Sequence, residues 1–200
     1  MQDSESYWED RYRHEDTPWE KGEPSPGLVD FLERRSRHIP SGSVCVPGCG
    51  TGHDVRAWAR HGFEATGFDI TSSGVHLAEK KTEESGLTAQ FTMEDFLERP
   101  PERTFDWAFE HTFFCAIPPH LRDAYVKAMI AHIKPGGYLL AVHYLIPDMD
   151  GPPFGTTRSE LLQRFSPYFS LLEEWVPRSF PNRTGLELML WWKKTAGFDK

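Results

Sequence analysis

Three glycines at alternate positions, Gly48, Gly50 and Gly52, sit in SVCVPGCGTGHDV, residues 43–55, after the apolar run Val44-Cys45-Val46 and before His53 and Asp54. Residues without side chains at a strand-to-helix turn let the backbone approach a ligand lying over the carboxyl edge of a parallel sheet. The dinucleotide fingerprint GxGxxG, counted from Gly48, needs glycine at 53, where His53 stands. That weakens a pyrophosphate site. Asp69 ends the next strand-like run, 19 residues after Gly50. A carboxylate there can accept hydrogen bonds from both hydroxyls of a ribose. NAD and S-adenosylmethionine both carry such a ribose.

Neighbouring segments sharpen the choice. The third strand-like run closes on Met93-Glu94-Asp95-Phe96. In a nucleoside site Asp95 accepts from an adenine amino group and Phe96 packs on the ring. The competing role for Asp95 is a solvated loop carboxylate or the N-cap of a turn at 95–98. Tyr7, Trp8, Tyr12 and Trp19 cluster ahead of the first strand. Aromatic faces attract cations through their quadrupole, on the order of 0.5–2 kcal/mol each, more where water is excluded. A sulfonium is such a cation; a pyrophosphate is the opposite. Trp19, in the Thr-Pro-Trp-Glu turn, is therefore expected at the ligand. Tyr7, Trp8 and Tyr12 read first as staples of the N-terminal segment, and Trp8 is also a candidate on the substrate side.

Other reactive side chains signal less. Cys115 lies among apolar neighbours in FFCAI, which raise a thiol pKa, so it reads as packing. Cys45 and Cys49 lack the CxxC spacing of a redox motif, and three buried, reduced thiols are expected. The histidines form neither HExxH nor a two-plus-one pattern, so no metal is expected. Arg158 and Arg183 are candidates to meet an anionic substrate, weighed against ordinary surface or helix-end roles. No Asn/Asp-Pro-Pro-aromatic motif of base amino methylation occurs.

Alternating strand and helix signals position these groups. Helices are expected over 25–37, 53–61, 73–85 (stopping at Gly86), 119–133 and 158–165. Strands are expected over 44–46, 63–70, 89–93, 105–109 and 138–144, with a turn at Lys134-Pro135-Gly136-Gly137. Residues 169–176 and 186–193 suit a closing antiparallel pair. This βαβαβ rhythm implies an α/β fold with a mostly parallel sheet covered by helices. Residues 1–200 read as a single domain, with 1–24 as an N-terminal aromatic cap.

Composition narrows the function classes. The net charge of −8 argues against a broad nucleic-acid surface, which needs clustered Lys and Arg. No apolar run approaches the ~20 residues of a membrane span. The acidic start, MQDSESYWED, shows no signal peptide. A cytoplasmic protein with no nucleic-acid or membrane partner is expected; nothing fixes its oligomeric state.

The chain resembles the thiopurine methyltransferase superfamily, most of all its thiol and halide methyltransferase branch of plants and bacteria. The resemblance rests on YWEDRYRHEDTPWEKGEPSPGLVDFL, VPGCGTGHDV, GFDIT, MEDF, FDWAFEHTFFCAIPP, IKPGG, GPPFGTT and PNRTGLE before WWKK. It implies a class I Rossmann-like fold: a seven-stranded sheet with an antiparallel last strand and an aromatic lid. It implies S-adenosylmethionine as methyl donor and S-adenosylhomocysteine as product. Carried over residue by residue, Trp19 packs near the sulfonium, Gly48 and Gly50 line the methionine portion, and Asp54 lies close by. Asp69 holds the ribose, Asp95 and Phe96 frame the adenine, and Glu110 and His111 lie beside the transferable methyl. Plant members of the branch carry an aromatic residue where His111 stands.

The implied reaction is an in-line displacement on an activated methyl group. A halide or bisulfide needs only alignment and loss of water. A larger protonated thiol benefits from a base, and His111 is the candidate, with cofactor positioning as its alternative role. The implied function is methyl transfer to a small soft nucleophile, with a thiopurine-like aromatic thiol as the alternative substrate. An NAD-linked oxidoreductase shares Gly48, Gly50 and Asp69 but lacks the third glycine and any sign of a hydride-transfer partner site; a non-enzymatic cofactor sensor keeps Asp69 and the loop but needs no lid over the methyl, and the Trp19 region argues against it.

Overall fold

A computed structural model describes residues 4–196. The chain divides into two compact units, Met1–Arg99 and Pro100–Lys200.

The first unit contains helix α1 (Ser4–Arg13), α2 (Pro26–Arg35), strand β1 (Ser43–Pro47), α3 (His53–Arg60), β2 (Glu64–Asp69), α4 (Ser72–Glu84) and β3 (Gln90–Met93). Helix α2 starts where Ser25 caps Leu28 N and Pro26 supplies a preset φ. Its Leu28, Phe31 and Leu32 are buried on one face. Every residue of β1 is buried, as expected of a strand covered on both faces. β1 runs parallel to β2, with Pro47 opposite Phe68, and β2 parallel to β3, with Asp69 opposite Met93. The carboxyl ends of all three strands therefore share one edge, and the glycine loop, Asp69 and Asp95 follow from them.

The second unit contains β4 (Phe105–His111), α5 (Arg122–His132), β5 (Ile133–Tyr144), α6 (Arg158–Phe165), β6 (Phe169–Trp175) and β7 (Glu187–Lys194). β4 is parallel to β5, and β7 is antiparallel to both β5 and β6. Its core is aromatic: Phe165 packs against Phe114, Tyr125, Phe169 and Trp192 at ring-centroid distances of 5.9–6.4 Å. Such rings contribute most of the burial energy of a small core.

The fold is α/β with seven strands, in the order β3-β2-β1 in the first unit and β4-β5-β7-β6 in the second, and the last strand in sequence is the antiparallel one. One element was not expected and two expectations need correction. Residues 4–13 form a helix, α1, because Glu5 favours its first turn and Arg11 and Arg13 its last. The turn expected at Lys134–Gly137 lies inside β5, where the pairing with β4 slips between Phe105 and Trp107. An irregular register accommodates Pro135, which cannot donate to a ladder. All three cysteines are free, but only Cys45 and Cys115 are buried; Cys49 is half-buried in the glycine loop.

Candidate active site

The glycine loop owes its shape to backbone conformations that side chains oppose. Gly50 has φ +52°, and a Cβ there would meet the Tyr12 hydroxyl at 3.2 Å. Gly52 caps α3 at φ +78°, where a Cβ would meet a Phe91 ring carbon at 2.9 Å. Both substitutions would strain the turn or push the loop away from its neighbours.

Asp69 organises this edge. Its Oδ2 accepts from Gly50 N at 2.8 Å, and its Oδ1 accepts from Thr71 N at 2.9 Å and the Thr71 hydroxyl at 2.6 Å. Burial pushes its pKa up, and those three bonds oppose the shift. A carboxylate offers about four acceptor positions, so Oδ2 keeps capacity for one more donor. That donor chemistry fits a ribose hydroxyl. Thr71 also caps α4 through Gly74 N at 3.2 Å, so one threonine ties the strand end to the next helix.

The other expected cofactor groups have defined local roles. Asp54 Oδ1 accepts from Ser25 N at 2.7 Å and so ties α3 to the start of α2. Asp95 Oδ1 accepts from Leu97 N at 2.8 Å, the turn-capping role weighed above. The Phe96 side chain is buried, 5.5 Å from Phe68 between ring centroids. Gly48 is exposed at the mouth of the loop with φ +59°.

The N-terminal segment is seated on this loop. Trp19 meets Trp8 and Tyr12 edge to face at 5.1 and 5.8 Å, and the Arg11 guanidinium lies 5.0 Å over its ring. Trp8 also meets Tyr7 at 5.0 Å. Glu9 accepts from Ser73 N at 3.2 Å and from the Ser73 hydroxyl, at the first turn of α4. Glu20 accepts from the Thr51 hydroxyl, and its Oε1 lies 2.9 Å from His53 Nε2. Sequence reasoning missed Glu9, Glu20, Thr51 and the contact of Tyr12 with the loop. The only sequence signals were that Glu20 adjoins Trp19 and that His53 replaces a glycine.

In the second unit, Glu110 and His111 end β4. Glu110 is fully buried; its Oε2 accepts from Phe114 N at 2.8 Å and the Tyr125 hydroxyl at 2.9 Å. Its Oε1 is buried without a hydrogen-bond partner among the described residues. Burial pushes its carboxyl up to about 7, against those bonds. The following turn is strained: Thr112 has φ +69°, unfavourable for a β-branched residue by about 1–3 kcal/mol. The Glu110 bond to Phe114 N and the Cys115 thiol, 3.2 Å from the Thr112 carbonyl, hold it.

His111 Nε2 lies 3.4 Å from Glu187 Oε1 and 3.3 Å from Arg183 Nη1, and Arg183 Nη1 lies 3.3 Å from Glu187 Oε1. The register explains the meeting. His111 pairs with Val142 of β5, and antiparallel β7 begins with Glu187 opposite Tyr144. Arg183 is buried, with its guanidinium 5.0 Å over the Tyr144 ring. Burial pushes the Glu187 carboxyl up, but the His111 hydrogen bond and the His111 and Arg183 charges outweigh it, and the net shift is down. Both Arg183 side-chain hydrogen bonds among the described residues use Nη1, which leaves Nε and Nη2 for a ligand. Arg158 instead pairs with Glu174 on the surface. Burial also pushes the Cys115 thiol up to about 12, an unreactive value consistent with packing. No group of three or more His, Cys, Asp or Glu suited to a metal ion occurs among the described residues, and none of their helices is long and apolar enough to cross a membrane.

Comparison with known proteins identifies the family and the fold. The family model described as thiopurine S-methyltransferase matches residues 3–177. Thiocyanate methyltransferase 1 of Arabidopsis thaliana is 35% identical over 95% of this chain and 85% of its own length. Probable thiol methyltransferase 2 of the same plant is 33% identical over 98% of this chain and 88% of its own. In fold, the chain is similar to magnesium protoporphyrin IX methyltransferase of Synechocystis, solved with bound S-adenosylhomocysteine, at a TM-score of 0.75 and 14% identity, covering 96% of this chain and 100% of that one. Matched by the family model over most of its length and by relatives at 33–35% identity, the chain belongs to the thiopurine S-methyltransferase family and is an S-adenosylmethionine-dependent methyltransferase.

Proposed function

We propose that the protein methylates a small, soft nucleophile: a thiol, bisulfide, thiocyanate or a halide ion. The observation that carries the substrate reading is Arg183, a buried guanidinium with Nε and Nη2 uncommitted beside His111. A buried cation of this kind suits a compact anion that has shed its water. Bound S-adenosylmethionine supplies the activated methyl group. The chain's own residues bind, orient and exclude water. Asp69 accepts from the ribose, Gly48 and Gly50 admit the methionine portion, and Asp95 and Phe96 flank the adenine. Trp19 faces the sulfonium, Trp8 backs Trp19, and Glu110 and His111 serve the methyl-transfer end. The names of the plant relatives support thiocyanate and thiols as substrates. The His111–Glu187 pair favours a second reading, a larger thiol whose proton must be removed.

Headspace chromatography after supplying the methyl donor with iodide, bisulfide, thiocyanate and a thiopurine in turn tests the substrate class. Volatile methyl iodide or methanethiol is expected, and product from the thiopurine alone would overturn the small-nucleophile reading. For the cofactor site, Asp69→Ala is expected to weaken S-adenosylmethionine binding by about 1.5–3 kcal/mol for each charge-assisted bond lost. The same substitution frees Gly50 N and both Thr71 donors, so the glycine loop loosens as well. Calorimetry showing wild-type affinity in a folded variant would remove Asp69 from the ribose site.

A further inference from the structure

Glu20 is a half-buried carboxylate with more partners than a surface turn needs. Oε1 lies 2.9 Å from His53 Nε2 and 2.8 Å from Gly22 N; Oε2 accepts from the Thr51 hydroxyl. Thr51 is buried in the glycine loop, and His53 is the first residue of α3. His53 Nδ1 lies 3.1 Å from Arg56 Nη2, and Arg56 donates to the Thr51 carbonyl at 2.7 Å. One side chain of the N-terminal segment thus grips the loop at two points, and Arg56 braces both. Trp19 is the adjacent residue. Burial pushes the Glu20 carboxyl up, but the His53 imidazole beside it and the Thr51 and Gly22 hydrogen bonds outweigh it and bring it down to about 2. Glu20 therefore stays ionised at any working pH.

We propose that Glu20, Thr51 and His53 form a clasp that fixes the Trp19 ring relative to the glycine loop, so that Glu20 and His53 are positioning residues for recognition of the cofactor's sulfonium charge. The side chain that spoils the dinucleotide fingerprint at position 53 then has a purpose of its own: it anchors the carboxylate that follows Trp19. Glycine at 53 would offer no such partner. Fixing Trp19 matters because a cation–π contact is directional, with the charge held over the ring within about 6 Å of its centroid. A free turn would spend side-chain and backbone entropy on each binding event. The inference rests on the reading of Trp19 as the ring facing the sulfonium.

The two ligands that isolate this effect are S-adenosylmethionine, which carries the sulfonium, and S-adenosylhomocysteine, a neutral thioether of otherwise similar shape. Calorimetric affinities for both should be measured in the wild type and in Trp19→Leu, Glu20→Ala and His53→Ala. Trp19→Leu is expected to lower the preference for the charged ligand by about 2- to 30-fold, the span of one cation–π contact. Glu20→Ala and His53→Ala are each expected to lower the same ratio, and their double substitution to do little more than either alone. A merely structural clasp would weaken both ligands alike. If Trp19→Leu lowers the ratio while Glu20→Ala leaves it unchanged, the clasp is overturned and Trp19 stands. If Trp19→Leu itself leaves the ratio unchanged, the sulfonium reading and the clasp fall together.

Discussion

Deleting residues 1–24 is expected to lower kcat/KM by at least about a hundredfold while the remaining strands and helices stay folded. Folding should survive because β1 begins at Ser43 and α1 has no buried residue. Catalysis depends on the segment in a different way. Glu9 holds the start of α4, Tyr12 lies on Gly50, and Glu20 holds Thr51 and His53. Without them the glycine loop faces water and Trp19 is gone. Fixed orientation is worth roughly 7–11 kcal/mol in favourable cases, and a hundredfold loss is a modest part of that. Circular dichroism and a urea midpoint would report the fold, and turnover with a saturating nucleophile the chemistry. A folded, fully active truncation would show that the segment is dispensable for catalysis.

His111→Gln separates base catalysis from positioning. The change keeps polarity and rough size. If His111 takes the proton from a thiol, thiol methylation is expected to fall by ~10²–10⁴-fold, and iodide methylation far less, because iodide carries no proton. Two charged neighbours hold the ring. Arg183 Nη1 lies 3.3 Å from Nε2 and Glu187 Oε1 3.4 Å from it. The same carboxylate can turn the imidazole towards its task. Both reactions should be followed at pH 7 and pH 9. A thiol of ordinary pKa near 8.5 supplies its own thiolate at the higher pH and should partly rescue the variant. The Glu110 carboxyl, pushed up to about 7, completes its ionisation over the same interval. The iodide reaction carries that change too, and so serves as its control. Equal losses for iodide and thiol at both pH values would leave His111 as a positioning residue.

By itself the sequence determined the elements and their local chemistry. Glycines at 48, 50 and 52 announce a turn that side chains would obstruct, and their positive φ angles bear this out. Strand periodicity put Asp69 at a strand end, and Ser25-Pro26 marked the start of α2, because φ preference, capping and burial pattern act within a few residues. Helix α1 escaped notice for the complementary reason: its aromatic and charged residues mark no clean apolar stripe, and packing of Glu9 and Tyr12 onto distant loops holds it in place. Only the tertiary structure decided which distant side chains meet. His111 and Glu187 are 76 positions apart, and Glu20 and Thr51 are 31 apart. The first pair meets because β7 enters antiparallel beside β5, which brings its first residue to the carboxyl end of the strand that pairs with β4. The second meets because the buried Thr51 hydroxyl and the His53 imidazole at the start of α3 face a carboxylate that would otherwise lose its hydration unpaired. Such contacts follow from strand order and from the need to satisfy buried charge, neither of which is written in any short stretch of residues.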